Sequence, residues 1–252
     1  MADLLIPALL LASLLYASVG HAGASGYLVA LTLAGVAMPD LRPCALIMNT
    51  VVATIALVQF ASVGCFRWRL FWPFAVTSIP MAVLGGALPV SGSVHRVLLG
   101  IALGAAAVRL MLEVSAAPRH DLEGQRGESP EPSLPALSIA LPAGAIIGLL
   151  AGLTGTGGGI FLSPLLILMR WGRVRDSAGV AAAFILLNSI GGLVGIRPRL
   201  EALPADLWIW CVVVVVGGTI GSWFGSRRAP PRALKLALSA VLLVAAGKLA
   251  LT

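Results

Sequence analysis

The sequence predicts an all-α polytopic membrane protein built from two inverted repeats of five segments, each with a half-length helix broken by glycines. Three observations support this fold class. The 252 residues are 59% hydrophobic and only 11% charged, and their mean hydropathy is +1.00, whereas a soluble domain carries far more charge. Long charge-free runs recur along the chain, and the order of its motifs occurs twice.

Eight apolar runs without a charged side chain are candidates for membrane helices. Most approach the roughly 20 residues that a helix needs to cross about 30 Å of hydrocarbon. The first could also be a signal peptide, but Asp3 precedes it and Lys and Arg are absent there, so we interpret it as the first membrane helix. The runs are residues 4–19, 43–64, 71–93, 97–108, 135–153, 177–196, 207–226 and 237–247.

A hydrophilic stretch, APRHDLEGQRGESPEPSLP at 117–135, divides the chain into halves of similar length. It is rich in Pro, Glu and Gly, as flexible linkers are. Each half contains a helix, a glycine-rich break, a short apolar piece, a polar loop and a span with Asn followed by a hydroxyl residue. We therefore predict a first membrane repeat at 1–114, a hydrophilic cytoplasmic linker at 115–135 and a second membrane repeat at 136–252.

The two halves differ slightly in spacing. Gly20 and Asn49 are 29 positions apart, whereas Gly155 and Asn188 are 33 apart, and we place the excess in the loop around 171–176. The short apolar pieces, 27–38 and 160–170, are 12 and 11 residues long, or roughly 17 Å as helix. Each spans about half of the hydrocarbon, so it is either a half-helix that completes a broken crossing or a re-entrant hairpin.

The basic residues of the loops favour crossing, because cytoplasmic loops carry an excess of Lys and Arg. If every segment crosses, one side of the membrane has ten of these residues and the other has five. If the short pieces turn back, the two sides are nearly even. Crossing places both termini outside and makes the five-segment repeats inverted. The ten are Arg67, Arg69, Arg119, Arg126, Arg170, Arg173, Arg175, Arg227, Arg228 and Arg232, and the five are Arg42, Arg96, Arg197, Arg199 and Lys248.

The glycine-rich breaks, GHAGASG at 20–26 and GLTGTGGGIF at 152–161, weaken helices inside apolar sequence. The second lacks the Gly-Lys-Ser/Thr ending of a phosphate-binding P-loop. Close helix packing is the main alternative, and we assign that role to the glycine pairs at 85–86, 191–192 and 217–218. A break before a short helix in both halves instead predicts helix N-termini that attract an anion near the bilayer midplane.

Polar residues beside the breaks and in the following spans are the candidate substrate-binding residues, because polar groups at that depth need a partner or a ligand. The alternatives are that the asparagines bond neighbouring helices and that the hydroxyl groups bond carbonyls of their own helices. His21 is either a structural bridge or a proton-coupling group. The candidate site consists of His21, Gly23, Ser25, Asn49, Thr50, Thr154, Thr156, Gly157, Gly158, Asn188 and Ser189.

These residues resemble the TauE/SafE family of membrane transporters, often called sulfite exporters. The resemblance rests on GLLAGLTGTGGGIFLSPLLIL at 148–168, GHAGASGYL at 20–28, the duplicated Asn spans, and IGSWFGSRRAPPRALKLALSAVLLVAAGKLAL at 220–251. It implies export or uptake of small sulfur-containing anions such as sulfite, sulfonates or sulfoacetate. The first half departs from the family's Gly-Gly-Gly form, with His21, Ala22 and Ala24 in its place.

The predicted function is therefore secondary transport or export of small anions by alternating access in the inner cell membrane. The expected partners are a small anionic substrate, protons as a candidate coupling ion, and the lipid bilayer; no nucleic acid, metal or cofactor is expected. We predict no enzymatic activity. One alternative is an intramembrane serine protease with Ser25 of GASG as nucleophile, which needs a histidine from another helix. The other is a non-transporting membrane assembly factor.

Overall fold

The computed structural model describes residues 4–89, 134–199, 201, 203–230, 236 and 240. Within these residues the chain forms eight α-helices and no strand. Five of these helices, at 38–62, 68–87, 137–154, 174–196 and 207–227, are long and apolar enough to cross a membrane, so the predicted all-α membrane fold is confirmed. The helices are α1 Leu5–Ser18, α2 Ala24–Leu33, α3 Met38–Ser62, α4 Trp68–Ala87, α5 Leu137–Thr154, α6 Gly159–Leu168, α7 Val174–Ile196 and α8 Leu207–Arg227.

Both expected short helices are present, as α2 and α6, and each has 10 residues. Helix α2 ends earlier than predicted, because Gly35 adopts a left-handed φ of 81° directly after the helix. Helix α3 begins at Met38 rather than at 43, since Pro39 lies in its first turn, where a missing N–H does no harm. The expected fifth segments, 97–108 and 237–247, and most of the linker lie outside the described residues, so the repeat boundaries stay predictions.

The first helix of each half packs against the fourth helix of the other half through glycines. Side chains at these glycines would collide with backbone carbonyl oxygens of the facing helix, so the two backbones lie in close contact. Residue numbers rise together along each pair, so α5 runs parallel to α4 and α8 runs parallel to α1. The contacts join Gly144, Gly148 and Gly152 to Phe74, Ser78 and Ala82, and Gly217, Gly221 and Gly225 to Leu10, Leu14 and Ser18.

Helices α3 and α7 pack against each other at the centre of the described bundle. They run antiparallel, because Cys65 beyond the end of α3 contacts Gly179 near the start of α7, while Leu46 lies beside Gly192. Helix α8 packs on α3 and helix α4 packs on α7. The central pair therefore has a long helix packed on each member, and it holds the buried polar residues Asn49, Asn188 and Ser189.

The two short helices run back toward the level at which their preceding helices begin, and α2 packs on α1. In the first half, Ser25 bonds Tyr16 and Gly26 lies beside Ala12, so α2 is antiparallel to α1. In the second half, Gly158 lies beside Ala151 at the start of α6. Trp171, after the end of α6, packs on Phe74 with ring centroids 6.1 Å apart. Since Phe74 lies at the level of Gly144 in α5, α6 also returns toward the start of its preceding helix.

This antiparallel geometry affects what the ten-to-five distribution of basic residues indicates about membrane topology. The turns at 19–23 and 155–158 contain neither Lys nor Arg. The distribution is therefore the same whether both members of each pair cross or whether both stop within the membrane. Helix α1, with 14 residues, is about 21 Å long, which is shorter than the hydrocarbon core. Loop charge thus does not separate crossing pairs from pairs in which both helices stop within the membrane, and the preference for crossing over short pieces that alone turn back stays a prediction.

Candidate functional site

The two glycine-rich breaks have similar backbone conformations. Each contains three residues with positive φ, a conformation that glycine adopts without the Cβ clash of other residues. In the first break, Ala22 occupies the position that Gly157 has in the second, and Ala22 is fully buried. Each matched pair of positions is 135 residues apart: Gly20 (77°), Ala22 (43°) and Gly23 (123°) in the first break, and Gly155 (74°), Gly157 (75°) and Gly158 (80°) in the second.

The two asparagines are not equivalent in helix register. Asn49 lies 11 residues after the first residue of α3, whereas Asn188 lies 14 residues after the first residue of α7. The loop before α7 is longer by only one residue, so placing the whole spacing excess in that loop was wrong. The residue that faces the start of α6, as Asn49 faces the start of α2, is Ile185. The halves share a backbone plan but not the same polar contacts.

Asn49 is the point at which both breaks meet. Its side chain is fully buried. Its Oδ1 accepts a hydrogen bond of 3.1 Å from the backbone N–H of Ala24, the first residue of α2. Its Nδ2 donates to Ser189 Oγ at 3.0 Å, and a Cβ at Gly157 would lie only 2.6 Å from Nδ2. The expected convergence of Asn49, Ser189 and Gly157 is therefore present.

Asn188 contacts a different neighbour. Its Oδ1 accepts a hydrogen bond from Ser78 Oγ of α4 at 2.5 Å, and its Nδ2 donates to the carbonyl of Phe184 at 2.8 Å. Both groups are buried. This arrangement corresponds to the alternative in which an asparagine joins neighbouring helices, while Asn49 joins the two breaks.

His21 links the first break to the start of α6. Its Nδ1 lies 3.0 Å from the carbonyl oxygen of Val19, and its Nε2 lies 3.0 Å from the carbonyl oxygen of Gly159. A neutral imidazole carries a proton on only one of its two nitrogens. In the neutral ring one of the two nitrogens donates, and the tautomer decides which carbonyl accepts that hydrogen bond.

The hydroxyl residues of the predicted site bond mainly within the protein. Thr50 donates to the carbonyl of Leu46 at 2.8 Å, and Thr154 donates to that of Leu150 at 2.6 Å, each four residues earlier in its own helix. Thr154 also contacts Thr156 at 2.9 Å between hydroxyl oxygens. These bonds satisfy the hydroxyl groups at membrane depth, as expected for Ser and Thr in membrane helices.

Ser25 donates a hydrogen bond of 3.0 Å to the hydroxyl of Tyr16. The histidine nearest in sequence, His21, directs both of its nitrogens at backbone carbonyls. A serine nucleophile needs a base within hydrogen-bonding distance of its hydroxyl. This geometry does not support the intramembrane protease alternative; His95 and His120 lie outside the described residues.

The start of α6 presents unpaired backbone donors. Gly158 precedes the helix with a left-handed φ of 80°, and no side chain caps the helix. Within the described part of the chain, the N–H groups of Gly159 and Ile160 form no hydrogen bond. Both residues are buried, and the first N–H groups of a helix carry its positive dipole end. An anion could therefore bind here through backbone donors.

Comparison with known proteins adds the family. The family model described as Sulfite exporter TauE/SafE matches residues 5–249. This chain belongs to the TauE/SafE family. It is 37% identical over 237 residues to the probable membrane transporter protein y4hK of Sinorhizobium fredii, covering 94% of this chain and 93% of that protein. It is 24% identical over 203 residues to the probable membrane transporter protein MJ0441 of Methanocaldococcus jannaschii, covering 75% and 70%. No solved structure matches.

Sequence reasoning missed three polar contacts of this TauE/SafE protein. Tyr16 and Ser78 bond the predicted site residues Ser25 and Asn188. Arg42, assigned from the sequence to a loop, lies in α3 beside Gly155, and its Nη2 donates to the carbonyl of Gly152 at 2.6 Å. Of these three contacts, the sequence could have indicated only that of Arg42, because this basic residue lies four positions after Met38 and next to an apolar span.

Proposed function

We propose that this TauE/SafE protein is a secondary transporter of small sulfur-containing anions in the inner cell membrane, working by alternating access between inverted repeats. The observation that carries the proposal is the meeting of the two breaks at Asn49, between the first residue of α2 and Gly157. Two relatives bear the name of probable membrane transporters. The description of the family model, a sulfite exporter, supports the substrate class.

The directions of the helices support the inversion. Helix α8 runs parallel to α1, and also to α3, because Val52 lies beside Gly218 and Ser62 bonds Arg227. Helix α4 runs parallel to α5, and also to α7, because the Ile79 and Val83 carbonyls face Gly191 and Gly195. Corresponding helices of the two halves thus have opposite directions. Two such repeats around a central site form the usual plan of a secondary transporter.

The proposed anion site is the space between the start of α6 and the Asn49–Ser189 pair. The N–H groups of Gly159 and Ile160 supply backbone donors, while Asn49 Nδ2 and Ser189 Oγ exchange their mutual hydrogen bond for bonds to the anion. Gly157 and Gly158 have no Cβ at the break, where one would collide with Asn49 and Ser189 or crowd Phe184. The other predicted site residues, Gly23, Ser25, Thr50, Thr154, Thr156 and Asn188, form the surrounding wall.

The proposed coupling ion is a proton on His21. The imidazolium donates to both Val19 O and Gly159 O, whereas the neutral ring leaves one nitrogen lone pair facing a carbonyl oxygen. An anion beside Gly159 favours the charged ring through electrostatic attraction. Proton and anion binding then strengthen each other by reciprocal linkage.

Transport into proteoliposomes tests the proposal. Labelled sulfite, a sulfonate and sulfate are offered to the wild-type protein with and without a pH gradient, and we expect saturable uptake of at least one sulfur oxyanion. Asn49→Leu should lower the affinity about 10- to 150-fold, because a lost hydrogen bond to a charged ligand costs about 1.5–3 kcal/mol.

The matched control is Thr54→Leu, which introduces the same side chain at an exposed position of the same helix. It should transport like the wild type. If the wild type carries none of the offered anions, the substrate class is wrong. If Asn49→Leu folds less stably but binds anion normally, Asn49 has only a structural role.

A further inference from the structure

Arg42 is an incompletely bonded cation beside the second break. It lies in the second turn of α3, and its Nη2 donates to the Gly152 carbonyl at 2.6 Å. Longer contacts of 3.3 and 3.4 Å reach the carbonyls of Gly85 and Gly86. The Nε atom is buried and has no hydrogen-bond partner in the described chain. An unpaired buried donor on a charged group is unfavourable, so a further ligand for the guanidinium would stabilise this arrangement.

The charge of Arg42 has no carboxylate partner among the described residues. The ion pair found there joins Arg67 to Asp176 at 2.8 Å, near the start of α7. The carbonyls around Arg42 belong to the last turns of α4 and α5, and each helix end offers only about half a negative charge. Asp40 is two residues away on the same helix, a spacing that does not bring side chains together. The two helix ends together offset about one charge, but they leave Nε without a hydrogen-bond acceptor, which an oxyanion could supply.

The two breaks differ in this respect although their backbones match. Arg42 lies four residues after the first residue of α3, beside Gly155. The residue four positions after the first residue of α7 is Ala178, and its backbone lies in close contact with Gly20. A cation is thus present beside one break and absent at the matching position of the other. By loop charge, Arg42 belongs to the side of the membrane with five basic residues.

We propose that Arg42 is an anion-binding residue beside the second break. It receives the substrate from the side of the membrane that has five basic residues. The inference rests on the proposed transport function and adds a second subsite to it. Its ligand is a small oxyanion, such as sulfite or a sulfonate, with oxygens on adjacent positions. The planar guanidinium of arginine can bond two such oxygens at once through its remaining N–H groups. A lysine at this position lacks that geometry.

The test compares three variants of the full chain in detergent and in proteoliposomes: Arg42→Gln, Arg42→Lys and the control Arg199→Gln. Arg199 is an exposed residue with the same charge, predicted on the same side of the membrane. The readouts are the sulfite-dependent shift in Tm and the KM for sulfite offered from each side. We expect Arg42→Gln to weaken sulfite binding about tenfold or more, as for a lost bond to a charged ligand. Arg42→Lys should be intermediate and Arg199→Gln unchanged.

A second expectation separates binding from a structural role. Loss of a guanidinium that only caps α4 and α5 would lower the Tm without sulfite but leave the sulfite-dependent shift and the KM within twofold of the wild type. That result would overturn the inference and leave the proposed transport intact, provided that Asn49→Leu still loses affinity. If Arg42→Gln does not fold, Arg42→Lys with wild-type sulfite affinity overturns it equally. A wild-type protein that binds neither sulfite, a sulfonate nor sulfate would overturn both proposals.

Discussion

At the scale of single residues, His21 and Asn49 have different parts in the proposed site. Asn49 is neutral, buried and bonded to both halves of the chain, so its loss removes contacts at every pH. His21 contacts two acceptors with its two ring nitrogens, so the number of bonds that it donates depends on its protonation. The two residues can therefore be distinguished by how anion binding responds to pH.

The pH dependence of sulfite binding measures the part played by His21. In the wild type, affinity should rise as pH falls through the titration of the ring, by at most about tenfold per pH unit, the limit for the uptake of one proton. His21→Gln keeps one donor and one acceptor but does not titrate, so its affinity should vary less than the wild type over the same range. Asn49→Leu should weaken binding at all pH values. An unchanged pH slope in His21→Gln would exclude His21 as the coupling group.

At the scale of elements, the breaks depend on backbone conformation as well as on free space. Gly158 has a φ of 80°, and a Cβ there would lie 3.0 Å from Phe184 and 3.1 Å from Ala151 and Ile147. Gly35 has nearly the same φ, 81°, but nothing lies within 4 Å of its Cβ position. The two glycines share the backbone strain of a substitution, and only Gly158 adds crowding at the start of α6.

This pair gives a controlled comparison. Gly35→Leu should lower stability by about 1–2 kcal/mol, the usual effect of a left-handed conformation on other residues, and Gly158→Leu should lower it by about 1–3 kcal/mol more, because its side chain is also crowded. Only Gly158→Leu should also abolish transport, because its side chain occupies the approach to the anion site. Thermal unfolding and proteoliposome uptake measure the two effects separately. Equal transport by both variants would show that the approach at Gly158 is not needed.

The elements also show how far the sequence leads. Glycine-rich breaks followed by short helices were predicted in both halves, because glycine and apolar periodicity are local signals. The helix register of Asn49 and Asn188 was not, because their spacing does not reveal where α3 and α7 begin. Asn188 was expected to supply a donor to the site from the span that follows the second break, but its side chain bonds Ser78 of α4. That contact joins residues 110 positions apart in the chain, and single-sequence patterns contain no information on such pairing.

At the scale of the whole molecule, the sequence did not predict which helices pack against each other. The glycine pairs at 85–86, 191–192 and 217–218 were correctly assigned to close packing, since side chains there would meet neighbouring helices. Which helices they join follows only from the structure, where α4 lies against α5 and α1 against α8. These contacts determine the helix directions. The directions in turn predict on which side of the membrane each loop lies.

Single cysteines introduced into a cysteine-free background test those directions. The native Cys44, Cys65 and Cys211 are free thiols, and burial raises the pKa of the Cys65 thiol; all three are replaced by alanine. Cysteines at Arg69, Arg173 and Arg228 should react with a membrane-impermeant maleimide from the cytoplasm only, because these exposed positions lie on the arginine-rich side. A cysteine at Arg199 should react only from outside.

The alternative topology gives a different pattern of labelling. If α1 crossed the membrane completely and α2 alone were re-entrant, α3 and α4 would be reversed relative to the second half. Position 69 would then be labelled from outside, while position 173 stayed inside. Corresponding helices would no longer oppose each other, and the two breaks could not face the centre from opposite sides. External labelling at 69 would therefore contradict the inverted repeat, and with it alternating access through Asn49.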